Sequence, residues 1–149
     1  MHIPDKVISI GQYSFYHCTG FTGSLKIPDS VNTIGISAFE GCIGFTSISI
    51  PNSITSISDC TFKNCYGLSG TLNLPKSITY IGMEAFSGCS NFYGELRIPS
   101  VPKIGSFCFY NCTGFTSLTF EDKVRVDQGA FCGCTGFKGK LNLVKITND

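Results

Sequence analysis

Nine cysteines are the residues whose number and spacing first suggest chemistry in this chain. Six of them recur at intervals of 22 to 24 residues, at Cys18, Cys42, Cys65, Cys89, Cys112 and Cys134. An odd total cannot pair completely, and the apolar content is sufficient for a core without disulfides. If the six stack in successive coils, their parallel side-chain directions make the dihedral angle of a disulfide hard to reach. We therefore expect reduced, buried thiols that pack as small apolar side chains.

The other three cysteines fall at different positions of the same pattern. Cys108 shares its position with alanines and other small residues, so we expect it to be buried. Cys60 and Cys132 share their positions with charged and aromatic residues, which indicates exposure, and we expect Cys132 to react first. Cys132 and Cys134 lack a second pair at the spacing of zinc ligands. The sequence therefore predicts no metal site at these residues.

Nucleophilic catalysis would require a base beside a serine or cysteine, and the only histidines are His2 and His17. His17 directly precedes Cys18, an arrangement that rarely forms a working dyad, and we interpret both histidines as surface residues. Asp5 and Asp29 occupy equivalent positions and could form a weak cation site between coils. Pro-Asp-Ser is, however, also an ordinary turn sequence. We predict that the chain is not an enzyme and has no catalytic residue, metal or cofactor.

The charged residues limit the classes of partner. The 149-residue chain carries 11 Lys and Arg against 10 Asp and Glu, scattered along its length. This balance gives no basic footprint for nucleic acid or an anionic membrane. No apolar run approaches the roughly 20 residues that cross a bilayer, and the first residues lack the pattern of a secretory signal. We expect no nucleic-acid partner and no membrane insertion.

The six periodic cysteines belong to a repeat that must position them. A phenylalanine stands three residues before each, at Phe15, Phe39, Phe62, Phe86, Phe109 and Phe131. A second apolar column stands three residues after each, at Phe21, Phe45, Leu68, Phe92, Phe115 and Phe137. Such recurrence means that each unit buries the same positions against its neighbours. The sequence predicts a solenoid of about six units of 22 to 24 residues, with both columns in its core.

Each unit also contains an apolar-polar-apolar trio, such as Leu-Lys-Ile at residues 25–27. Its alternation predicts one short parallel strand per coil, and stacked coils then form a β-sheet face. A second extended stretch should end at glycines such as Gly35 and Gly82, where a positive φ is available. Residues 38–42 predict a single helical or 3₁₀ turn, so helix content should be low. The extra residue of longer coils, as around Gly23, should sit in a loop or bulge.

Residues 25–35, LKIPDSVNTIG, and residues 38–42, AFEGC, look like units of the BspA-type leucine-rich repeat of bacterial and trichomonad surface proteins. The resemblance covers essentially the whole chain. It implies a right-handed leucine-rich-repeat coil over residues 1–149, with six coils and a partial seventh strand, as a fragment of a longer array without caps. It also implies a non-catalytic adhesion module, at the cell surface or outside the cell, that binds host, matrix or microbial proteins.

Two further expectations accompany the resemblance. An intracellular protein-interaction scaffold is the alternative function, because no signal peptide is present and free cysteines persist in reducing compartments. A cytoplasmic location therefore stays open. Uncapped coils expose apolar faces and strand edges, so we also expect end-to-end self-association.

The outward positions of the strands, which we call the strand face, are the predicted binding surface. Its central positions are Lys26, Ser49, Asn73, Arg97 and Thr119, beside Ser24, Thr71 and Glu95, with Ser47, Ser117 and Lys140 at equivalent places. This face is polar and lacks the aromatic cluster that anchors tight interfaces. We expect weak, multivalent binding there. A second, aromatic patch is predicted elsewhere from Tyr80, Tyr93, Phe107 and Tyr110.

Overall fold

The structure, a computed structural model, describes residues 1–139 and the backbone of 146–147. The described chain is a stack of coils built from parallel strands without any helix, as the repeat predicts. We number the coils 1 to 6 by the phenylalanines of the first column. The described strands are β1 (Ser9–Ile10), β2 (Gly23–Lys26), β3 (Thr33–Ile34), β4 (Phe45–Ser49), β5 (Ser56–Ile57), β6 (Tyr80–Ile81), β7 (Gly94–Ile98), β8 (Lys103–Ile104), β9 (Phe115–Phe120), β10 (Val124–Val126) and β11 (Ile146–Thr147). Lys140 and the trio at 141–143 lie outside the described residues.

The predicted second extended stretch forms parallel sheets of its own, one of five strands and one of two. Strands β5, β6, β8, β10 and β11 are neighbours in that order, and β1 pairs with β3. The register places isoleucines of successive coils beside one another, as in the pairs Ile10 with Ile34 and Ile57 with Ile81. These side chains are buried, so these sheets contribute one wall of the core.

The strand face is less continuous than the sequence predicts. β2 pairs with β4 and β7 pairs with β9, both in parallel, but the two pairs are separate sheets. Residues 71–74, which include the trio of coil 4, form no strand, and the nearest pairing is an isolated bridge between Gly70 and Phe92. Register shifts at Gly23 and Gly94 place the extra residues in bulges, as predicted.

The phenylalanine columns form the core, as predicted. Rings of the first column stack from coil to coil, with centroids 5.1 to 5.6 Å apart and interplanar angles of 2° to 20°. In the second column Phe21 stacks on Phe45 and Phe92 on Phe115, while Leu68 separates the two pairs. Stacked and edge-to-face rings contribute beyond the area that they bury. The two columns therefore fix the spacing of the coils.

The turn that carries each phenylalanine is not the predicted helical or 3₁₀ turn. In coil 2 the N–H groups of Ala38, Glu40 and Cys42 donate to carbonyls three residues earlier, at 3.2 to 3.3 Å. The N–H groups of residues 37, 39 and 41, between them, donate instead to carbonyls of coil 3 at 2.8 to 3.0 Å. This alternation turns every second amide towards the next coil. The result is a run of hydrogen-bonded turns that ties neighbouring coils together.

The glycines at 35 and 82 serve a different purpose from the one predicted. Neither has a positive φ. A β-carbon at Gly35 would lie 2.4 Å from the backbone nitrogen of Gln12, and one at Gly82 would lie 2.6 Å from that of Asp59. Glycine is required because successive coils touch there, so the predicted positive φ is wrong.

The left-handed backbone instead occurs two residues later, at residues with side chains. Tyr13, Ser37, Cys60, Glu84 and Phe107 have φ values of 52° to 56° at this position, and coil 6 carries a glycine there. This conformation costs a non-glycine residue roughly 1–2 kcal/mol. The inter-coil hydrogen bonds of the turn hold the backbone in this conformation despite the strain.

Position 60 allows this strain to be measured. We expect Cys60→Gly to be about 1 kcal/mol more stable than Cys60→Ala, because both lose the thiol and only glycine relieves the left-handed backbone. Urea denaturation followed by circular dichroism gives the difference. Equal stability of the two variants would show that the backbone at this position is not strained.

Candidate binding surface

The periodic cysteines are free thiols, and those of coils 2 to 6 are buried. Each of these five also donates its S–H to the backbone carbonyl of the phenylalanine in the preceding coil, at 2.9 to 3.1 Å between sulfur and oxygen. The same carbonyl accepts the N–H of the cysteine in its own coil, as Phe39 does from Cys42. The thiols therefore act as small core residues, as predicted, and as a second hydrogen-bonded ladder, which the sequence did not indicate.

Burial raises the pKa of both Cys42 and Cys134 to about 11, and that of Cys65, Cys89 and Cys112 as well. The unfolded chain ionises its thiols near pH 9, below the folded values. The free energy of unfolding should therefore be fully retained below pH 9 and fall between pH 9 and pH 11. Urea midpoints across this range test it. The Cys132→Ser variant should lose as much stability over this pH range as the unmodified chain. The Cys42→Ala variant should lose less.

The remaining candidates for chemistry lie apart from one another. Cys108 is buried and Cys132 exposed, as predicted, while Cys60 is half-buried. The ring of His17 packs at 4.4 Å on Tyr16. In residues 1–139 no group of three or more His, Cys, Asp or Glu is placed to hold a metal ion.

Asp5 and Asp29 do lie near each other, but they share their hollow with a cation. Both line a depression of about 340 Å³ together with Lys26, Pro28 and Ser30. The lysine supplies positive charge to the place where a cation would have to bind. The hollow therefore fits the turn interpretation better than a cation site.

The eight predicted positions of the strand face all lie on the surface. Lys26, Ser49, Asn73, Arg97, Thr119, Ser24, Thr71 and Glu95 are exposed. Pairing aligns them in rows: Lys26 is opposite Ser49, and Arg97 is opposite Thr119. The break at coil 4 divides these rows into two groups.

A cleft lies at the break, and we call it the strand cleft. Its volume is about 270 Å³, and it brings together four predicted positions, Thr71, Asn73, Glu95 and Arg97. Lys76 and Glu121 also line it, and sequence reasoning missed both because they follow the trios. The repeat nevertheless marks both positions, because Lys76 directly follows a proline of the repeat and Glu121 occupies the position of such a proline.

Glu95 is the best-connected residue of the strand cleft. It accepts a hydrogen bond from the Thr119 hydroxyl at 3.0 Å and pairs with the Arg97 guanidinium at 3.0 Å. The Thr119 hydroxyl first, and Arg97 second, hold the pKa of Glu95 below its ordinary value. Glu95 is therefore a carboxylate at neutral pH, and it orients the exposed Arg97 beside the cleft.

The predicted aromatic patch is only partly assembled. Phe107 and Tyr110 meet edge to face with their centroids 5.9 Å apart. Tyr80 donates instead to Asp59, at 3.2 Å, and Tyr93 is 58% exposed. Within residues 1–139, no ring contact joins either of these to the other two. Nor does this part of the chain contain a helix long and apolar enough to cross a bilayer.

Comparison with known proteins gives matches along the whole repeat. The family model for the BspA type leucine rich repeat region matches in 6 copies, over residues 1–91 and 69–146. A leucine-rich repeat protein from Bacteroides ovatus is 38% identical with a TM-score of 0.79, over 89% of this chain and 34% of its own. The comparison with curated proteins gave no match.

Two further solved structures share the fold. The leucine rich repeat protein of T. pallidum is 31% identical with a TM-score of 0.77, over 88% of this chain and 61% of that one. A leucine rich cell surface protein from Faecalibacterium prausnitzii is 28% identical with a TM-score of 0.69, over 93% of this chain and 35% of that one. The chain thus spans between about a third and three fifths of the proteins it resembles.

The repeat, the parallel strands and these matches agree with one another. Proteins built from this repeat typically serve protein–protein interaction and are generally non-catalytic. The chain belongs to the BspA-type leucine-rich repeat family.

Proposed function

We propose that this chain is a non-catalytic binding module of a cell-surface protein, and that it holds protein partners on its strand face. The observation that carries the proposal is the strand cleft. Fixed polar side chains surround it, and the sheet opens beside it.

The backbone at the cleft is itself available to a partner. No hydrogen bond joins residues 71–74 to β4 or β7 within the described chain, which leaves their amide and carbonyl groups without a strand partner. Elsewhere on this face β2 pairs with β4 and β7 with β9, each strand along one edge. Unpaired backbone groups beside a sheet are the usual means of capturing an extended peptide.

The charges around the cleft favour a polar segment carrying both signs. Lys76 and Arg97 lie on the same cleft as Glu95 and Glu121. Aromatic anchors are absent from this lining, which supports weak contacts that gain strength through repetition. A longer array of such coils would bind more tightly than this chain alone.

Arg97 provides the direct test. Biolayer interferometry against immobilised fibronectin, laminin and type IV collagen should show salt-sensitive binding that Arg97→Ala weakens roughly fivefold or more. Lys6→Ala removes another exposed cation, from coil 1, and should leave binding unchanged. Binding that Arg97→Ala does not alter would place the partner on another face.

Location at the cell surface is part of the same proposal. It is supported by the family and by one structural relative whose name is that of a cell surface protein. An intracellular scaffold is the second candidate, favoured by nine free cysteines. Protease treatment of intact cells distinguishes them, because only a surface protein would lose its repeat under this treatment.

End-to-end association is the last part of the proposal. Coil 1 exposes a hollow of about 470 Å³ lined by Ile3, Ile10, Phe15 and Phe21, among others. Such an apolar end is what a further coil or a second copy covers. Light scattering at increasing concentration should show association, and a strictly monomeric species would contradict it.

A further inference from the structure

The turn of coil 4 is recessed between the turns of coils 3 and 5. Around its inward cysteine coil 4 carries only small residues, Ser87, Gly88 and Ser90. The neighbouring coils carry larger residues around theirs, including Tyr66 in coil 3 and Tyr110 in coil 5. The result is a cleft of about 520 Å³, which we call the turn cleft. Its volume lies within the range of about 300–1,000 Å³ typical of small-molecule sites.

Two half-exposed tyrosines flank the turn cleft. Tyr66 is 49% and Tyr110 38% exposed. A β-carbon at Gly88 would lie 3.3 Å from the Tyr66 ring and 2.7 Å from the side-chain oxygen of Asn64, so glycine keeps the floor open. Tyr110 is held by its edge-to-face contact with Phe107. Tyr110 is thus held in place, and both rings are accessible to a ligand.

The lining also contains polar groups without partners. Ser87 is 96% buried, and its hydroxyl donates to and accepts from no residue of the described chain. The side-chain amides of Asn64 and Asn111 likewise make no hydrogen bond within residues 1–139. None of these atoms is sealed from water, because every enclosed side-chain nitrogen and oxygen among the described residues has a hydrogen-bond partner. These groups are therefore available to a ligand with both donors and acceptors.

The turn cleft carries no unbalanced charge. Its only ionic residues are Lys63 and Glu84, which form an ion pair with each other. The ligand should accordingly be neutral. We propose that the turn cleft binds a neutral pyranose residue of a glycan, with the apolar face of the sugar on the tyrosines and its hydroxyls on Ser87 and the asparagine amides.

A proline-rich peptide is the other ligand that aromatic grooves commonly accept. Its backbone at the prolines offers carbonyl acceptors and no N–H donors. The side-chain oxygens of Asn64, Ser87 and Asn111 would then accept no hydrogen bond from the prolines. Sugar hydroxyls donate and accept at the same atom, and they match this lining better.

The test uses the whole chain and the methyl glycosides of glucose, galactose, mannose and N-acetylglucosamine. Saturation-transfer NMR should detect at least one of them, with a dissociation constant in roughly the millimolar range. Tyr66→Ala and Ser90→Tyr should each weaken that binding at least about tenfold, by removing one ring and by filling the cleft. The fold already tolerates tyrosine at this place in coil 3, at Tyr66.

Matched controls separate this site from the rest of the molecule. Tyr16 occupies the same repeat position as Tyr110 but lies in coil 1, so Tyr16→Ala should leave sugar binding unchanged. Arg97→Ala should also leave it unchanged, so this proposal and the proposed protein-binding function can fail independently. Circular dichroism confirms that each variant is folded.

Three results would overturn the proposal. They are the absence of binding by all four glycosides, binding that survives both Tyr66→Ala and Ser90→Tyr, and Tyr66-dependent binding of a proline-rich peptide instead. Neutral N-linked oligosaccharides and neutral polysaccharide fragments, titrated separately, identify whether the sugar comes from glycoproteins or from polysaccharides. Tyr66-dependent binding of either supports the site.

Discussion

Phe86→Ala should destabilise the solenoid by about 3–5 kcal/mol. Phe86 is fully buried, and its ring stacks between Phe62 and Phe109 with both centroids 5.4 Å away. Truncation removes the apolar contacts of both neighbours and leaves a cavity that the rigid ladder of coils cannot close. Urea denaturation followed by circular dichroism measures the loss.

Phe15 provides the comparison for Phe86. It belongs to the same column, but it is only half-buried and stacks on Phe39 alone within its column. Because Phe15 lies in coil 1, Phe15→Ala should cost less than half as much and affect mainly that end. Equal losses for the two variants would show that stability does not depend on stacking between coils.

The aromatic core could be predicted because its positions repeat. Residues such as Phe62 and Cys65 recur at one spacing in every coil, and only burial against equivalent neighbours explains that recurrence. The hydrogen bond from each thiol to the preceding phenylalanine carbonyl could not be predicted. It depends on how far one coil is displaced along the next, which the spacing of residues within a coil does not determine.

The break in the strand face could not be predicted from the sequence for the same reason. The trio of coil 4, Leu-Asn-Leu, alternates like the others, yet it pairs with neither neighbour. Alternation indicates that a segment is extended and half-buried, whereas pairing depends on two segments at once. The eight exposed positions were therefore predictable, and the strand cleft that gathers four of them was not.

The turn cleft, by contrast, left a signal in the sequence. Alignment of the coils shows that coil 4 has small residues around its cysteine, Ser87, Gly88 and Ser90, where coils 3 and 5 carry larger ones. The predicted aromatic patch included Tyr110 but grouped it with Tyr80 and Tyr93, which lie elsewhere. Comparing sizes within columns, as well as polarity, would have placed Tyr66 and Tyr110 on either side of the recess.

Gly67→Ala adds a single carbon and should nevertheless cost about 2–3 kcal/mol or more. A β-carbon there would lie 2.2 Å from the carbonyl oxygen of Ile43 and 2.6 Å from that of Phe45. Both obstacles are backbone atoms in the preceding coil, so relief requires that coils 2 and 3 separate. Separation would also weaken the stacking of Phe39 on Phe62, and urea midpoints should fall accordingly.

Gly20 is the control that isolates this effect, because it occupies the same repeat position in coil 1 and nothing lies within 4 Å of its β-carbon site. Gly20→Ala should be neutral or stabilise by up to about 1 kcal/mol. Coil 4 carries Asn91 in this column, and its amide donates to the Tyr66 carbonyl at 2.7 Å. Coil 4 therefore accommodates a side chain at this position, where coil 3 has no room for one. Comparable losses for Gly67→Ala and Gly20→Ala would mean that close contact between coils does not require glycine here.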